Sequence, residues 1–173
     1  PIYREVIVRV LALPAQYAIT ASPPAFVLPD GRLDFPQLLA AFADFWMEHG
    51  ANLAGQMAWR EVAAQLVFMA FLQRIVNGGG FVDREYGVGR GRIDLLVRWP
   101  HPHGLQREAI ELKVWRPQRP DPLPKGLAQL DAYLLQLGLD RGTLILFDRR
   151  PDLPEAEHRT RFEDAVTPSG KPV

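Results

Sequence analysis

Two acidic residues and a lysine stand in two short apolar runs whose spacing would bring them together. Asp94 precedes the apolar residues 95–97, and Glu111 and Lys113 alternate with the apolar residues of the run 109–114. Side chains two apart in a strand share a face, so Glu111 and Lys113 would point the same way. A hairpin through the turn-rich residues 100–105 would lay Asp94 beside them. Two carboxylates and an ammonium on one patch of sheet suit a divalent metal and a phosphodiester.

The oxygen atoms of this patch are ligands that a hard cation prefers. Asp94 and Glu111 would supply carboxylates to Mg²⁺ or Mn²⁺, and the Leu112 carbonyl would supply a third oxygen. The metal would polarise a phosphoryl group and lower the pKa of a bound water. Lys113 would orient that water or offset charge in the transition state. The alternative interpretation of an acid-x-Lys pair is an exposed salt bridge on a solvated sheet face.

The order of these residues along the chain resembles the PD-(D/E)XK nuclease superfamily. Asp94 and the segment 111–113 match its central motif, and Gln129 matches a glutamine often found on the following helix. Glu61 matches the acid of the first helix, although an acid favoured by the helix dipole is an equal account of it. The resemblance implies an α/β fold with a restriction-endonuclease-like core. That core runs α-β-β-β-α-β, has a mixed four-stranded sheet flanked by helices, and would here follow an extra N-terminal helical segment.

The resemblance also implies roles for these residues in a magnesium-dependent nuclease. Asp94 and Glu111 would bind the metal together with the Leu112 carbonyl, and Lys113 would assist the water. Gln129 and Glu61 would support the arrangement. The alternative is a non-catalytic module that keeps nuclease-like residues for nucleic-acid binding or for regulation, or a structural interaction domain without metal affinity.

A narrower resemblance covers nearly the whole chain. It is to bacterial proteins in which an AAA-type ATPase domain precedes a PD-(D/E)XK-like C-terminal domain. The segments that carry it are residues 1–7, 29–34, 68–80, 85–94 and 146–150. No phosphate-binding loop of the G-x-x-x-x-G-K-[ST] type occurs in these 173 residues, so ATPase activity would reside in another part of a longer protein. The implied partner is that ATPase domain of the same full-length chain.

Glycine, proline and capping residues divide the chain into the elements of this core. Asp34 and Gly50 fit the start and end of a helix at residues 35–49, and Gly138 fits the end of a later one. We also expect helices at residues 58–76 and 124–137, and strands at residues 81–86 and 143–147. Because the fourth strand is β-branched and apolar, we expect it in the centre of the sheet.

Three segments follow from this division. Residues 1–57 would be an N-terminal extension with one amphipathic helix, facing the ATPase domain. Residues 58–150 would form the nuclease-like core, and residues 151–173 a charged tail that is loose from Pro168 onwards.

Charge is distributed unevenly although the formal net charge is zero. Residues 84–119 carry eight Arg or Lys side chains against four acids, and this excess coincides with the predicted site. Phosphate contacts would be wanted there, although a solvated surface is the alternative. The candidate nucleic-acid contacts are Arg90, Arg92, Arg116 and Tyr133. We expect DNA rather than RNA as the substrate, with a homodimer as one possible assembly.

Composition excludes several other classes of function. The chain has no cysteine, so it has no disulfide framework, no thiolate zinc site and no cysteine nucleophile. No apolar run is long enough to span a bilayer, and no secretory leader is recognised. We therefore expect a cytoplasmic protein with no membrane partner.

Overall fold

The computed structural model describes residues 26–56, 63–76, 79–88, 91–149 and 160–173. Its helices and strands in chain order are α1 Phe35–Gln56, α2 Ala63–Val76, β1 Phe81–Val88, β2 Gly91–His101, β3 Gly104–Trp115, α3 Leu123–Leu137 and β4 Thr143–Asp148. From α2 onwards the order is helix, three strands, helix, strand. The predicted α/β class and the mixed four-stranded sheet with helices are confirmed.

The sheet has the strand order β1-β2-β3-β4. β2 and β3 are joined by a two-residue turn, the length typical of an antiparallel hairpin. β4 pairs with β3 in parallel, from Ile110 opposite Thr143 to Trp115 opposite Asp148, and α3 supplies the crossover that a parallel pair requires. The prediction of a central fourth strand is wrong, because among the described strands β4 stands at the end of the order. Its apolar residues are explained instead by α3, which packs on it.

The N-terminal helix begins where the sequence predicts and ends later. Asp34 Oδ1 accepts a hydrogen bond from the backbone N–H of Gln37 at 3.1 Å, as an N-cap does. The helix then continues to Gln56, so Gly50 lies inside it instead of beyond its end. A Cβ at Gly50 would stand 2.6 Å from Cδ2 of Trp46. The glycine is therefore explained by the space that the indole needs.

Contacts divide the chain into two compact units. The first contains α1, α2 and the tip of the β2–β3 hairpin, Trp99–Gly104. In this unit Phe42 of α1 packs edge-on against Phe68 and Phe71 of α2, with ring centroids 4.7 and 5.3 Å apart. The indole N–H of Trp99 donates to the Gly31 carbonyl at 2.9 Å, which fastens the hairpin tip to the segment before α1.

The second unit contains Val82–Arg98 and Leu105–Val173, and therefore most of the sheet together with α3. Its core is a cluster of side chains from β2, β3 and α3: Ile93, Leu96, Ala109, Leu130, Tyr133 and Leu134. The helix α3 ends at Gly138, which is left-handed with φ +63° and donates its N–H to the last turn. This is the predicted glycine stop.

The C-terminal segment is fastened to the second unit. Val166 and Pro172 form an antiparallel bridge, the Gly142 N–H donates to the Pro172 carbonyl at 3.2 Å, and Val173 packs against the core cluster. The prediction of a loose end from Pro168 is wrong, because this segment covers the edge of the core beside α3. None of the helices in the described residues is both long and apolar enough to cross a membrane.

Candidate functional site

The carboxylate of Asp94 lies against the backbone of β3. Its Oδ2 atom accepts a hydrogen bond from the Leu112 N–H at 2.8 Å. Leu112 stands between Glu111 and Lys113, so this one bond brings the acid of β2 to the acid-x-Lys segment of β3. The structure therefore brings together the three side chains that the sequence places in one patch. All of them belong to the second unit.

Glu111 and Lys113 form an ion pair inside the protein. Nζ of Lys113 donates to Glu111 Oε1, and the side chains are only 2% exposed for Glu111 and 18% for Lys113. The same ammonium lies 3.4 Å from the Leu112 carbonyl oxygen. The alternative of an exposed salt bridge on a solvated face does not describe this pair. Breaking a pair this deep would leave one charge buried and uncompensated.

The environment of Glu111 is mixed in its effect on ionisation. Burial raises the pKa of Glu111 above its ordinary value, and the hydrogen bond from Lys113 lowers the pKa in part. The charge of Asp94 raises the pKa of Glu111 further. A cation near both carboxylates would favour the ionised form of each.

Two buried oxygen atoms have no hydrogen-bond partner among the described residues: Glu111 Oε2 and Gln129 Oε1. Buried acceptors are nearly always paired with a donor, a water or an ion. Glu111 thus offers one oxygen to Lys113 and holds the other ready for a donor or a cation. The amide oxygen of Gln129 can likewise accept a hydrogen bond or contact a cation.

The first turn of α3, which precedes Gln129, packs closely on β3 and β4. A Cβ at Gly126 would stand 2.8 Å from Cδ1 of Leu144 and 3.3 Å from Cγ of Lys113, so the first turn of α3 lies over that part of β3 and β4. Leu144 is opposite Glu111 in the parallel register. Gln129 follows Gly126 by about one helical turn, so it stands near the sheet-facing side of α3, where its Oε1 atom is buried.

The residues present fit a divalent cation in chemistry. Asp94 and Glu111 are hard oxygen donors, and the unpartnered Glu111 Oε2 is available to a cation. Lys113, however, already contacts two of the expected ligand atoms, Glu111 Oε1 and the Leu112 oxygen. Within the described ranges no cluster of three or more His, Cys, Asp or Glu side chains is arranged to hold a metal. The predicted set has two carboxylates and one carbonyl.

Other predicted site residues have different fates. Glu61 and Arg90 lie outside the described residues, and Arg92 is in β2 with its side chain not described. Arg116 is exposed immediately after β3. Tyr133 is only 8% exposed and belongs to the core cluster. Its predicted contact with nucleic acid is therefore not supported, because the ring packs inside the second unit.

Sequence reasoning missed a second buried acid on β3. Glu108 is 6% exposed, accepts a hydrogen bond from Gln106 Nε2 at 2.8 Å and lies 3.8 Å from Arg141. Burial raises the pKa of Glu108, and these two partners lower it in part. Strand alternation puts Glu108 on the face opposite Glu111, so it is not part of the same patch. An acid at the start of an apolar strand run is the sequence feature that marks it.

A second polar contact that the sequence does not reveal joins α3 to the C-terminal segment. Ser169 Oγ donates to Asp131 Oδ1, and this bond, with help from Thr167, lowers the pKa of Asp131. The contact is structural, since it fastens the segment to the helix.

Comparison of the chain with protein-family models, with curated proteins and with solved structures finds no match.

Proposed function

We propose that this domain is a metal-dependent nuclease of the PD-(D/E)XK type that hydrolyses phosphodiester bonds, in DNA rather than RNA. The observation that supports it best is the buried Glu111–Lys113 pair, tied to Asp94 through the Leu112 N–H. Buried ion pairs contribute little to stability compared with apolar residues of similar size. A catalytic role would explain why the chain has such a pair beside a third ionisable group, Asp94.

Each side chain has a role in this proposal. When bound, Mg²⁺ or Mn²⁺ would polarise the phosphoryl group of the substrate and lower the pKa of a bound water. Asp94 and Glu111 would hold the cation, and the Leu112 oxygen would be a further ligand. Lys113 leaves Glu111 Oε1 and the Leu112 oxygen, and its ammonium then holds the attacking water or a phosphoryl oxygen. The buried amide oxygen of Gln129 accepts a hydrogen bond from that water.

The proposal extends to the rest of the protein. Glu61, outside the described residues, would support the site from the first helix. The chain would be the C-terminal part of a longer protein, with an AAA-type ATPase domain as its partner, and a homodimer would allow both strands of a duplex to be cut.

A non-catalytic nucleic-acid-binding or regulatory module is the second candidate. The specific observation in its favour is that Lys113 already contacts an oxygen atom of two of the three expected ligand residues, Glu111 and Leu112. In that case the ion pair is permanent and the domain binds nucleic acid without cutting it.

Cleavage assays separate the two candidates. Single- and double-stranded DNA and RNA are incubated with Mg²⁺ or Mn²⁺ and with the wild type, Asp94→Asn, Lys113→Ala or the control Arg107→Ala, whose side chain is exposed on β3. The nuclease predicts metal-dependent cutting that falls at least about a hundredfold in the two site variants and is unchanged in Arg107→Ala. Calorimetric Mn²⁺ titration of the same proteins predicts binding that Asp94→Asn weakens. No cutting and no Mn²⁺ binding by the wild type would contradict the proposal.

A further inference from the structure

We infer that a turn of arginines at the carboxyl ends of β3 and β4 is the surface that grips the phosphates of the nucleic acid. This surface, the arginine turn, consists of Arg116 and Arg119 after β3 and Arg149 after β4. The inference rests on the proposed function and adds to it the place where the strand lies.

Backbone hydrogen bonds hold the three arginines close together. The Arg119 N–H donates to the Arg116 carbonyl at 3.2 Å, which closes a four-residue turn. The Arg149 N–H donates to the Trp115 carbonyl at 2.9 Å, so Arg116 and Arg149 each follow directly on neighbouring strands. The indole N–H of Trp115 donates to the Arg119 carbonyl at 3.1 Å. The turn is thus fixed to the sheet at both ends.

The turn from Arg116 to Arg119 contains a residue in an unfavourable backbone conformation. Gln118 has φ +59°, a left-handed conformation that is unfavourable by about 1 kcal/mol for a residue other than glycine. The turn also places two like charges three residues apart. The unfavourable backbone conformation at this exposed turn is explained if the arginines meet a polyanion there.

Local charge agrees with an anionic partner. Residues 113–125 and 148–149 together carry five Arg or Lys side chains and two acids. One of these acids, Asp121, uses Oδ1 to accept the Leu123 N–H at the start of α3. Arg116 and Arg119 are exposed, and Arg149 is half-buried. Guanidinium groups suit phosphate because they donate two parallel hydrogen bonds.

The distance from the candidate site fits a nucleic-acid strand. Arg116 follows Lys113 by three residues of extended chain, about 10 Å along the strand. Successive phosphates of one strand are spaced about 3.4 Å along the helix axis. The arginine turn would therefore contact phosphates within a few nucleotides of the scissile bond.

Binding without cleavage tests this inference. Fluorescence anisotropy of a labelled DNA duplex is measured with the 173-residue chain in EDTA, across KCl concentrations from about 50 to about 200 mM. Arg116→Ala/Arg119→Ala is compared with a control of equal charge loss, Arg84→Ala/Arg107→Ala, in which both side chains are also exposed. A third protein, Arg116→Lys/Arg119→Lys, keeps the charge, and circular dichroism checks that each variant is folded.

For the alanine pair we expect an approximately tenfold weaker affinity. The slope of log affinity against log salt concentration should also decrease by the amount that corresponds to about two phosphate contacts. The control should change affinity by less than about twofold, and the lysine pair should keep the wild-type salt dependence. Equal affinity and equal salt dependence for the alanine pair and the wild type would overturn the inference, as would no DNA binding in EDTA.

Polyglutamate serves as the competitor that represents an acidic protein. If it displaces DNA as effectively as unlabelled DNA of equal charge, the surface fits an acidic polypeptide and the inference fails. Because the assay contains no metal, a protein that binds through the arginine turn and never cuts would refute the nuclease alone. A protein that cuts but ignores the turn would refute only this inference.

Discussion

Glu111 combines deep burial with two different surroundings at its two oxygen atoms. Oε1 accepts from the Lys113 ammonium, while Oε2 has no hydrogen-bond partner among the described residues. A carboxylate in this position is stabilised in its charged form only on one side. Its protonation, its pairing and any bound cation are therefore linked, and each can be perturbed by a single substitution.

Removing the ammonium should destabilise the protein more than removing the whole pair. Lys113→Met keeps the apolar stem and leaves Glu111 buried without its partner, so we expect a loss of about 3 kcal/mol in the free energy of unfolding. Protonation of Glu111 limits this loss, which should therefore grow as the pH rises. Glu111→Gln/Lys113→Met should recover most of it. Urea unfolding of both variants at several pH values checks this, and equal losses would show that the pair does not act as a unit.

Glu108 and Asp131 should affect stability in opposite directions as the pH changes. Burial raises the pKa of Glu108 above its ordinary value of 4.5, so the folded state binds the proton more tightly than the unfolded state. Its stabilising contribution is present below that ordinary value and is lost as the pH rises through the raised pKa. Glu108→Gln removes this loss, and its free energy of unfolding should increase relative to the wild type as the pH rises.

Asp131 provides the comparison with the reverse sign. The Ser169 hydrogen bond lowers its pKa below the ordinary value of 3.8, so its contribution is present above that value and is lost as the pH falls through the lowered pKa. Asp131→Asn should therefore be less stable than the wild type at neutral pH and approach it in acid. Unfolding curves from about pH 2 to about pH 8 measure both variants, and parallel curves for wild type and variants would contradict the pKa directions.

At the scale of elements, the close approach of α3 to the sheet depends on a residue without a side chain. Gly126→Ala adds a Cβ that would stand 2.8 Å from Leu144 Cδ1 and 3.3 Å from Lys113 Cγ. Alanine gains about 1 kcal/mol of helix propensity, but crowding in a packed site loses about 1–3 kcal/mol. We expect a net loss of about 1 kcal/mol in the free energy of unfolding, measured by heat or urea. If the domain is the proposed nuclease, cleavage should also fall, because the Lys113 stem is displaced.

A second substitution tests the cause of that loss. Leu144→Val removes a methylene group from the crowded side and should restore part of the stability of Gly126→Ala. If Gly126→Ala alone is more stable than the wild type by its full helix propensity, α3 can move away from the sheet without penalty, and the glycine has no role in placing Lys113.

Local rules account for the parts of the fold and site that the sequence predicts correctly. Strand alternation and a short turn are enough to bring Asp94 to Glu111 and Lys113, and a left-handed glycine ends α3 at Gly138. A glycine within a helical pattern has two explanations, however, and the sequence alone cannot show that Gly50 serves the packing of Trp46. The hydrogen bonds of Lys113 depend on packing, and so does the burial of Tyr133. No local pattern predicts them.

At the scale of the whole molecule, the C-terminal segment should contribute to the stability of the second unit. Deleting residues 168–173 removes the Pro172 carbonyl that pairs with Gly142 and the Ser169 hydroxyl that pairs with Asp131. It also uncovers core surface that Val173 contacts. We expect a loss of about 3 kcal/mol from these hydrogen bonds and this apolar contact. Thermal unfolding measures it, with Ser169→Ala as the milder comparison; an unchanged midpoint would restore the idea of a loose end.

The ion pair at Glu111 also bears on how the protein is made and kept. Small metalloproteins whose ligands have no internal counter-ion, such as zinc fingers, unfold when a chelator removes the metal. Here the Lys113 ammonium neutralises Glu111 from within the chain, so the newly synthesised domain can reach its native state before it meets any divalent cation. If the domain is the proposed metal-dependent nuclease, a chelator should inactivate it reversibly and leave the protein folded, so the supply of divalent cations would control its activity.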